Sequence, residues 1–169
     1  MNLWIMGPAD EDEKYAKECY DLVESLGVKD VEFTGRVNVR DYLGKMDFTL
    51  LTSISEGQPL TILESYAAHK PVITTDVGNC RELIYGNEDG FGDAGILTHI
   101  MNIEEIAHAM VNMSINEENR KRMGEAGYKR VNAFYRIDQM KDVYREIYKG
   151  FSDSQNLSWT EEPFKINGH

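Results

Sequence analysis

The apolar positions change their spacing repeatedly along the chain, and each change marks an element. Leu3, Trp4, Ile5 and Met6 form a short apolar run closed by Gly7 and Pro8, the pattern of a buried strand that ends in a turn. Residues 10–26 switch to helical spacing, with Tyr15, Cys19, Leu22, Val23 and Leu26 on one face. Acidic residues crowd the start of this helix, where they suit its dipole, and Gly27 stops it. A second strand is predicted at 31–34, ended by Gly35, then a short helix over 39–46 and a third strand at 48–52. A loop at 53–57 leads to a helix over 59–69, a fourth strand at 71–75, a turn at 76–79 and a short helix over 80–85. A glycine-rich stretch, 86–95, precedes a last strand at 96–98, and three helices are expected over 103–114, 117–133 and 137–151. The remainder, 152–169, is polar and aperiodic, the pattern of a tail that is disordered or laid over a partner surface.

Strands alternating with helices of this length predict an α/β domain over residues 1–151: a Rossmann-like, doubly wound parallel sheet with helices on both faces. Ligands of such sheets bind outside the carboxyl ends of the strands, which singles out the loops 35–38, 53–59 and 75–79. No GxGxxG run follows the first strand, and this sets aside an NAD-type site.

Composition excludes further classes. The chain carries 29 acidic against 18 basic residues, a formal charge of −11, and nothing in that balance offsets phosphate repulsion from nucleic acid or an anionic membrane. Small anionic ligands remain open, because a few local donors suffice for them. Cys19 and Cys80 have no metal-type spacing and are expected as reduced thiols. His69, His99, His108 and His169 form no HxxxH or HExxH pattern, so no metal site is expected. No apolar run approaches the roughly 18–20 residues of a spanning helix, and the start lacks a signal-peptide pattern. A soluble, cytoplasmic protein is the expectation.

The segment Ser53-Ile54-Ser55-Glu56-Gly57-Gln58-Pro59-Leu60-Thr61-Ile62-Leu63-Glu64 starts at a strand's carboxyl end and runs into a helix. Gly57 lets backbone approach a ligand or take a positive φ, and Pro59 is preset for the first helical turn. The free N–H groups near Leu60 and Thr61 then point at the cleft and, with the helix dipole, suit a phosphate without any lysine. Two carboxylates frame this start, Glu56 in the loop and Glu64 about one turn into the helix. A helical wheel places Ile62, Leu63, Tyr66 and Ala67 on the buried face and Glu64 at its margin. A carboxylate there needs partners, and the vicinal hydroxyls of a ribose offer two donors to one carboxylate. Taken singly, a glutamate before a helix is often a dipole partner, and one on a helix is usually solvated. The combination with Gly57, Pro59 and the flanking strands outweighs that plainer account.

Glu56-Gly57-x-Pro59, Glu64 and the run Ala67-Ala68-x-Lys70-Pro71-Val72-Ile73-Thr74-Thr75 together resemble the E-x7-E signature of glycosyltransferase family four. Val31-Glu32-Phe33-Thr34-Gly35 is similar to the family's V-x-F-x-G strand, and 53–57 with 76–83 is similar to the PelF-like, Pel-exopolysaccharide branch. The resemblance spans about residues 3–151. It implies the C-terminal, donor-binding domain of a retaining enzyme of the two-domain GT-B type. By this resemblance Glu56 contacts hydroxyls of the donor sugar and Glu64 binds the ribose. Gly57, Gln58, Pro59, Leu60 and Thr61 meet the diphosphate or sugar, and backbone at Arg36 and Val37 meets the base. The implied donor is UDP-glucose, a substrate rather than a cofactor, and the implied partners are a glycan acceptor and an N-terminal GT-B domain.

The match departs from the family in one respect. Members carry a basic pair at the first strand and loop of this domain, and that stretch would lie before Leu3; Arg36, Arg40 and Lys45 do not match it. The chain is therefore expected to lack the domain's first strand, to expose a sheet edge and to be inactive alone. Two other functions fit the architecture: a GT-B nucleotide-sugar 2-epimerase, which lacks this Glu-Gly-x-Pro run, and a non-catalytic nucleotide-binding scaffold. His69 stands at the helix end where many relatives have Gly, and is expected to be structural.

Overall fold

The structure of the chain, a computed structural model, describes residues 1–155, so most of the expected tail lies outside the described residues. The order of elements is β1 (Leu3–Met6), α1 (Glu13–Ser25), β2 (Val31–Gly35), α2 (Arg40–Leu43), β3 (Thr49–Leu51), α3 (Leu60–Ala67), β4 (Val72–Thr75), α4 (Cys80–Tyr85), β5 (Gly95–Thr98), α5 (Ile103–Ile115), α6 (Glu117–Phe134) and α7 (Ile137–Gln155). The expected alternation of strands and helices is met throughout. The last helix runs four residues past Phe151, so the domain boundary expected there falls inside a helix. Among the described residues no helix is long and apolar enough to cross a membrane.

All strand pairs are parallel, but the single sheet expected from the pattern is in two pieces. β1 pairs with β2, and β3, β4 and β5 pair in that order. A sheet is continuous only where each inner strand has neighbours on both sides. Among the described residues β1 has β2 alone and β3 has β4 alone, so the expected open edge occurs on both.

The centre of the larger piece is β4, whose residues Val72, Ile73, Thr74 and Thr75 are all buried. Strand alternation sends successive side chains to opposite faces and so builds two cores. Val72 joins Ile62 and Tyr66 of α3, Cys80, Leu83 and Ile84 of α4 and Ala126 of α6. Ile73 on the other face joins Ala109 and Met113 of α5 with Met123. Helices therefore cover both faces, as the doubly wound pattern requires. α3 and α6 approach so closely that a Cβ on Gly127 would overlap the Tyr66 ring.

Two helices turn a different face to the core from the one their spacing suggested. On α1, Tyr15, Leu22 and Leu26 are exposed, while Ala16, Cys19 and Val23 are half-buried and Tyr20 meets Phe33 edge-on at 4.4 Å. The two-stranded piece is too narrow to cover the wider stripe, and the ring contact sets the rotation. On α3 the buried face includes Ser65 instead of Ala67. The Ser65 hydroxyl donates to the Thr61 carbonyl at 2.9 Å and lies 2.8 Å from Thr49 Oγ1, so its polar atom is satisfied inside.

Among the described residues the largest fully buried side chain is that of Arg130 on α6. Its Nη1 donates to the carbonyls of Leu83 and Ile84 at 2.9 and 3.0 Å, capping the end of α4. Its Nε and Nη2 hold Asp89 at 2.6 and 3.1 Å, and Nη2 also reaches Gly92 O at 2.8 Å. The Tyr66 hydroxyl donates to Leu83 O at 2.9 Å beside it. The guanidinium thereby ties α6, the end of α4 and the 86–92 loop into one body.

Replacing Arg130 by Met would bury the Asp89 carboxylate and the α4 carbonyls without donors, and is expected to cost about 3–5 kcal/mol, read as a lower urea midpoint. The bonds from Arg130 hold the Asp89 carboxyl below its ordinary value, so its folded pKa lies under its unfolded one. Its contribution is then complete above the unfolded pKa and is lost as pH falls through the folded value. The stability gap between wild type and Asp89→Asn is expected to be widest near neutrality and to close on acidification, in urea unfolding at stepped pH.

Candidate functional site

The loop 53–59 leaves the carboxyl end of β3 and enters α3, and neighbouring elements fix it at several points. Thr75 Oγ1, at the end of β4, donates to the Ser53 carbonyl. Ser53 Oγ donates to Glu56 Oε1 at 2.7 Å, which folds the Glu56 side chain back along the loop. Asn79 N–H donates to the Gly57 carbonyl at 2.8 Å. The turn before α4 comes so near that a Cβ on Gly78 would collide with the carbonyl oxygens of Glu56 and Gly57. Gly78 also has φ +51, in the left-handed region that favours glycine.

These contacts draw the loop carbonyls toward β4 and leave the start of α3 open. Pro59 is the N-cap, with φ −71 and ψ 116, one position before the first helical turn expected for it, and it supplies no side-chain cap. Ile62 N–H takes the Pro59 carbonyl at 3.3 Å, whereas the N–H groups of Leu60 and Thr61 meet no acceptor among the described residues. Leu60 is 70% exposed. Uncapped N–H groups at the positive end of a helix dipole attract an anion.

Glu64 and Thr61 lie on the exposed face of α3. The Glu64 side chain makes no hydrogen bond or ion pair with any described residue, so its carboxylate is free to take donors from a ligand. Gly57 has no positive φ, contrary to one of the two roles expected for it, and a Cβ there would meet open space. The glycine that the geometry requires is Gly78. Gln58 is exposed beside it.

The segment 53–64 is thus assembled with Thr75, Gly78 and Asn79. Arg36 and Val37 follow β2 in the two-stranded piece, where Arg36 pairs with Glu11 at 3.8 Å with both side chains exposed. Among the described residues neither makes a hydrogen bond or ion pair with 53–64. His69 adopts φ +57 just past α3, stacks on Tyr128 at 3.7 Å and lies 3.3 Å from Glu125, which fits the structural role expected for it. No group of three or more potential metal ligands occurs among the described residues. A cleft of about 350 Å³ lies at the opposite, amino ends of β3 and β4, lined by Asp47, Lys70, Pro71, Arg120 and Lys121 among others. It is far along the sheet from the open helix start, and its Lys121 and Arg120 already face Glu117 and Asp47 at 2.6 and 3.7 Å.

Comparison with known proteins places this geometry in a family. The chain is 32% identical over 129 residues to the N-acetyl-alpha-D-glucosaminyl L-malate synthase of Bacillus anthracis, covering 75% of this chain and 32% of that protein. It is 29% identical over 145 residues to an uncharacterized glycosyltransferase of Methanocaldococcus jannaschii, covering 84% and 40%. Among solved structures, Anabaena Alr3699/HepE in complex with UDP superimposes with a TM-score of 0.79 at 19% identity, over 89% of this chain and 41% of that one. The chain thus spans about a third to two fifths of the length of these relatives. The profile of Glycosyl transferases group 1 matches residues 1–130, and the chain belongs to that family.

Proposed function

We propose that the chain is the donor-binding domain of a retaining hexosyltransferase of glycosyltransferase family four, close to the PelF-like branch, and that it holds a UDP-sugar with glucose as the transferred hexose. The observation that carries this reading is the uncapped start of α3, with two N–H groups lacking acceptors between Glu56 and an unpartnered Glu64. The diphosphate would lie on the Leu60 and Thr61 N–H groups, its charge met by the helix dipole. Glu64 would accept from the ribose hydroxyls, and Glu56, already oriented by Ser53, would accept from the hexose. Backbone at Arg36 and Val37 would face the base. UDP is the first choice because Anabaena HepE, a protein of the same fold, was solved with UDP and with UDP-glucose.

Transfer itself is proposed for a longer protein, in which a second domain brings the glycan acceptor over the strand ends and closure excludes water. The acceptor would attack on the face from which the diphosphate leaves, with N–H groups and the helix dipole stabilising the departing charge. Glu56 and Glu64 hold the donor in this scheme and transfer no proton.

An amide NMR titration with UDP, GDP and ADP in parallel is expected to give UDP-selective shifts at Leu60, Thr61, Glu64 and Arg36. Equal shifts with all three nucleotides would remove the uridine assignment, and none with any would remove the donor-site reading. Glu64→Ala is expected to weaken UDP binding by about 1.5–3 kcal/mol, the scale of hydrogen bonds to a charged group. Its thermal midpoint should stay that of wild type, because Glu64 is exposed and unpartnered; calorimetry reads both.

A further inference from the structure

Tyr135 ends α6 as its C-cap, and its ring packs against the core shared by α3, α4 and α6. Its hydroxyl donates to Glu82 Oε1 at 3.2 Å, although 53 positions separate the two residues. Burial first, and then Glu82, push the Tyr135 hydroxyl up to about 12, so it stays a proton donor across the physiological range.

Glu82 belongs to the structure that holds the loop. It lies in the first turn of α4. Asn79, the N-cap of that helix, is the residue whose N–H takes the Gly57 carbonyl, and its own carbonyl accepts from Leu83 N–H at 3.1 Å as α4 begins. Gly78, just before it, is already at closest approach to the Glu56 and Gly57 carbonyls. A start of α4 that backs away from the loop therefore draws Glu82 away from the phenol.

We infer that Tyr135 is a positioning residue for the loop 53–59: through Glu82 it holds the first turn of α4, and with it the Asn79 N–H, against the Gly57 carbonyl, and so sets the direction of the Leu60 and Thr61 N–H groups. Its link to ligand binding rests on the donor-site reading above; its link to the loop does not. A tyrosine that served only to fill the core would need its ring and not its hydroxyl, and Tyr135→Phe separates the two.

The test is amide hydrogen exchange on the ligand-free chain, followed by UDP titration. In Tyr135→Phe, exchange at Asn79 N–H is expected to rise about 3- to 10-fold, the scale of one neutral hydrogen bond. Exchange at Ala94 N–H, which bonds to Ile84 O beyond the network, should stay unchanged. UDP affinity should fall by a similar factor at an unchanged thermal midpoint. Glu82→Ala should add little on top of Tyr135→Phe, because the two act through one bond. Unchanged exchange at Asn79, or a uniform rise at Asn79 and Ala94 with a lowered midpoint, would overturn the inference. A wild-type chain that binds no UDP would sink the donor-site reading, while the exchange comparison would still decide the role of Tyr135.

Discussion

The buried guanidinium of Arg130 is the constraint on which the rest of the larger piece depends. Its side chain is 1% exposed and that of Asp89 is 4% exposed, so neither charge can fall back on water. Such a pair is tolerated only when its remaining hydrogen-bonding capacity is met, and here the carbonyls of Leu83, Ile84 and Gly92 meet it. The geometry is over-determined as a result. The end of α4 cannot shift without stranding a charge, and α4 is the helix whose leading turn braces the loop at the carboxyl end of β3. Rigidity at the strand tips thus comes from a polar knot on the far side of α4, with the apolar clusters filling the space around it.

The segment that binds in the proposed function works by elimination of alternatives. Two loop carbonyls near the first N–H groups of α3 are engaged elsewhere: Ser53 O by Thr75, and Gly57 O by Asn79. Pro59, as N-cap, has no side-chain oxygen to offer, unlike the Asp12, Asn102 and Asn116 caps of α1, α5 and α6. Three helices are closed at their starts by their own residues. α3, like α2 and α4, has no side-chain cap, and its start at the tip of β3 is left open, the arrangement an anion requires.

What the sequence disclosed follows from which forces are local. β4 was legible because Val72, Ile73, Thr74 and Thr75 form a run of β-branched residues opened by Pro71 and followed by a Gly78 turn, and α3 because Gly57, Pro59 and the two glutamates fix a turn and a helix start within nine positions. Arg130 was invisible, since a single arginine in an amphipathic helix has the same pattern as a solvated one, and its partner lies 41 positions away. The face of α1 was misjudged because helical spacing specifies which residues share a side, while the width of the sheet beneath decides how many of them are covered. Gly57 drew attention that belonged to Gly78: the motif marks where a ligand is expected, and only the packing of two loops shows where a side chain cannot fit. Tyr135 gave no signal, because its partners are set by the contact between α4 and the end of α6.

The two pieces of sheet differ in how firmly they are held. β1, α1 and β2 contain no fully buried side chain, whereas β4 is buried throughout and each helix around it contributes buried side chains. Regions with few buried apolar contacts open at lower free energy than the core, so the first 35 residues or so form a separately yielding unit. Arg36 and Val37 sit at the tip of that unit, and the open helix start sits on the firm one. In the proposed function a nucleotide spanning both tips would have to order the yielding unit as it binds, and part of its gross interaction energy would be consumed in doing so. Discrimination between bases would then be entropically taxed, while the hold on the diphosphate and sugar would not.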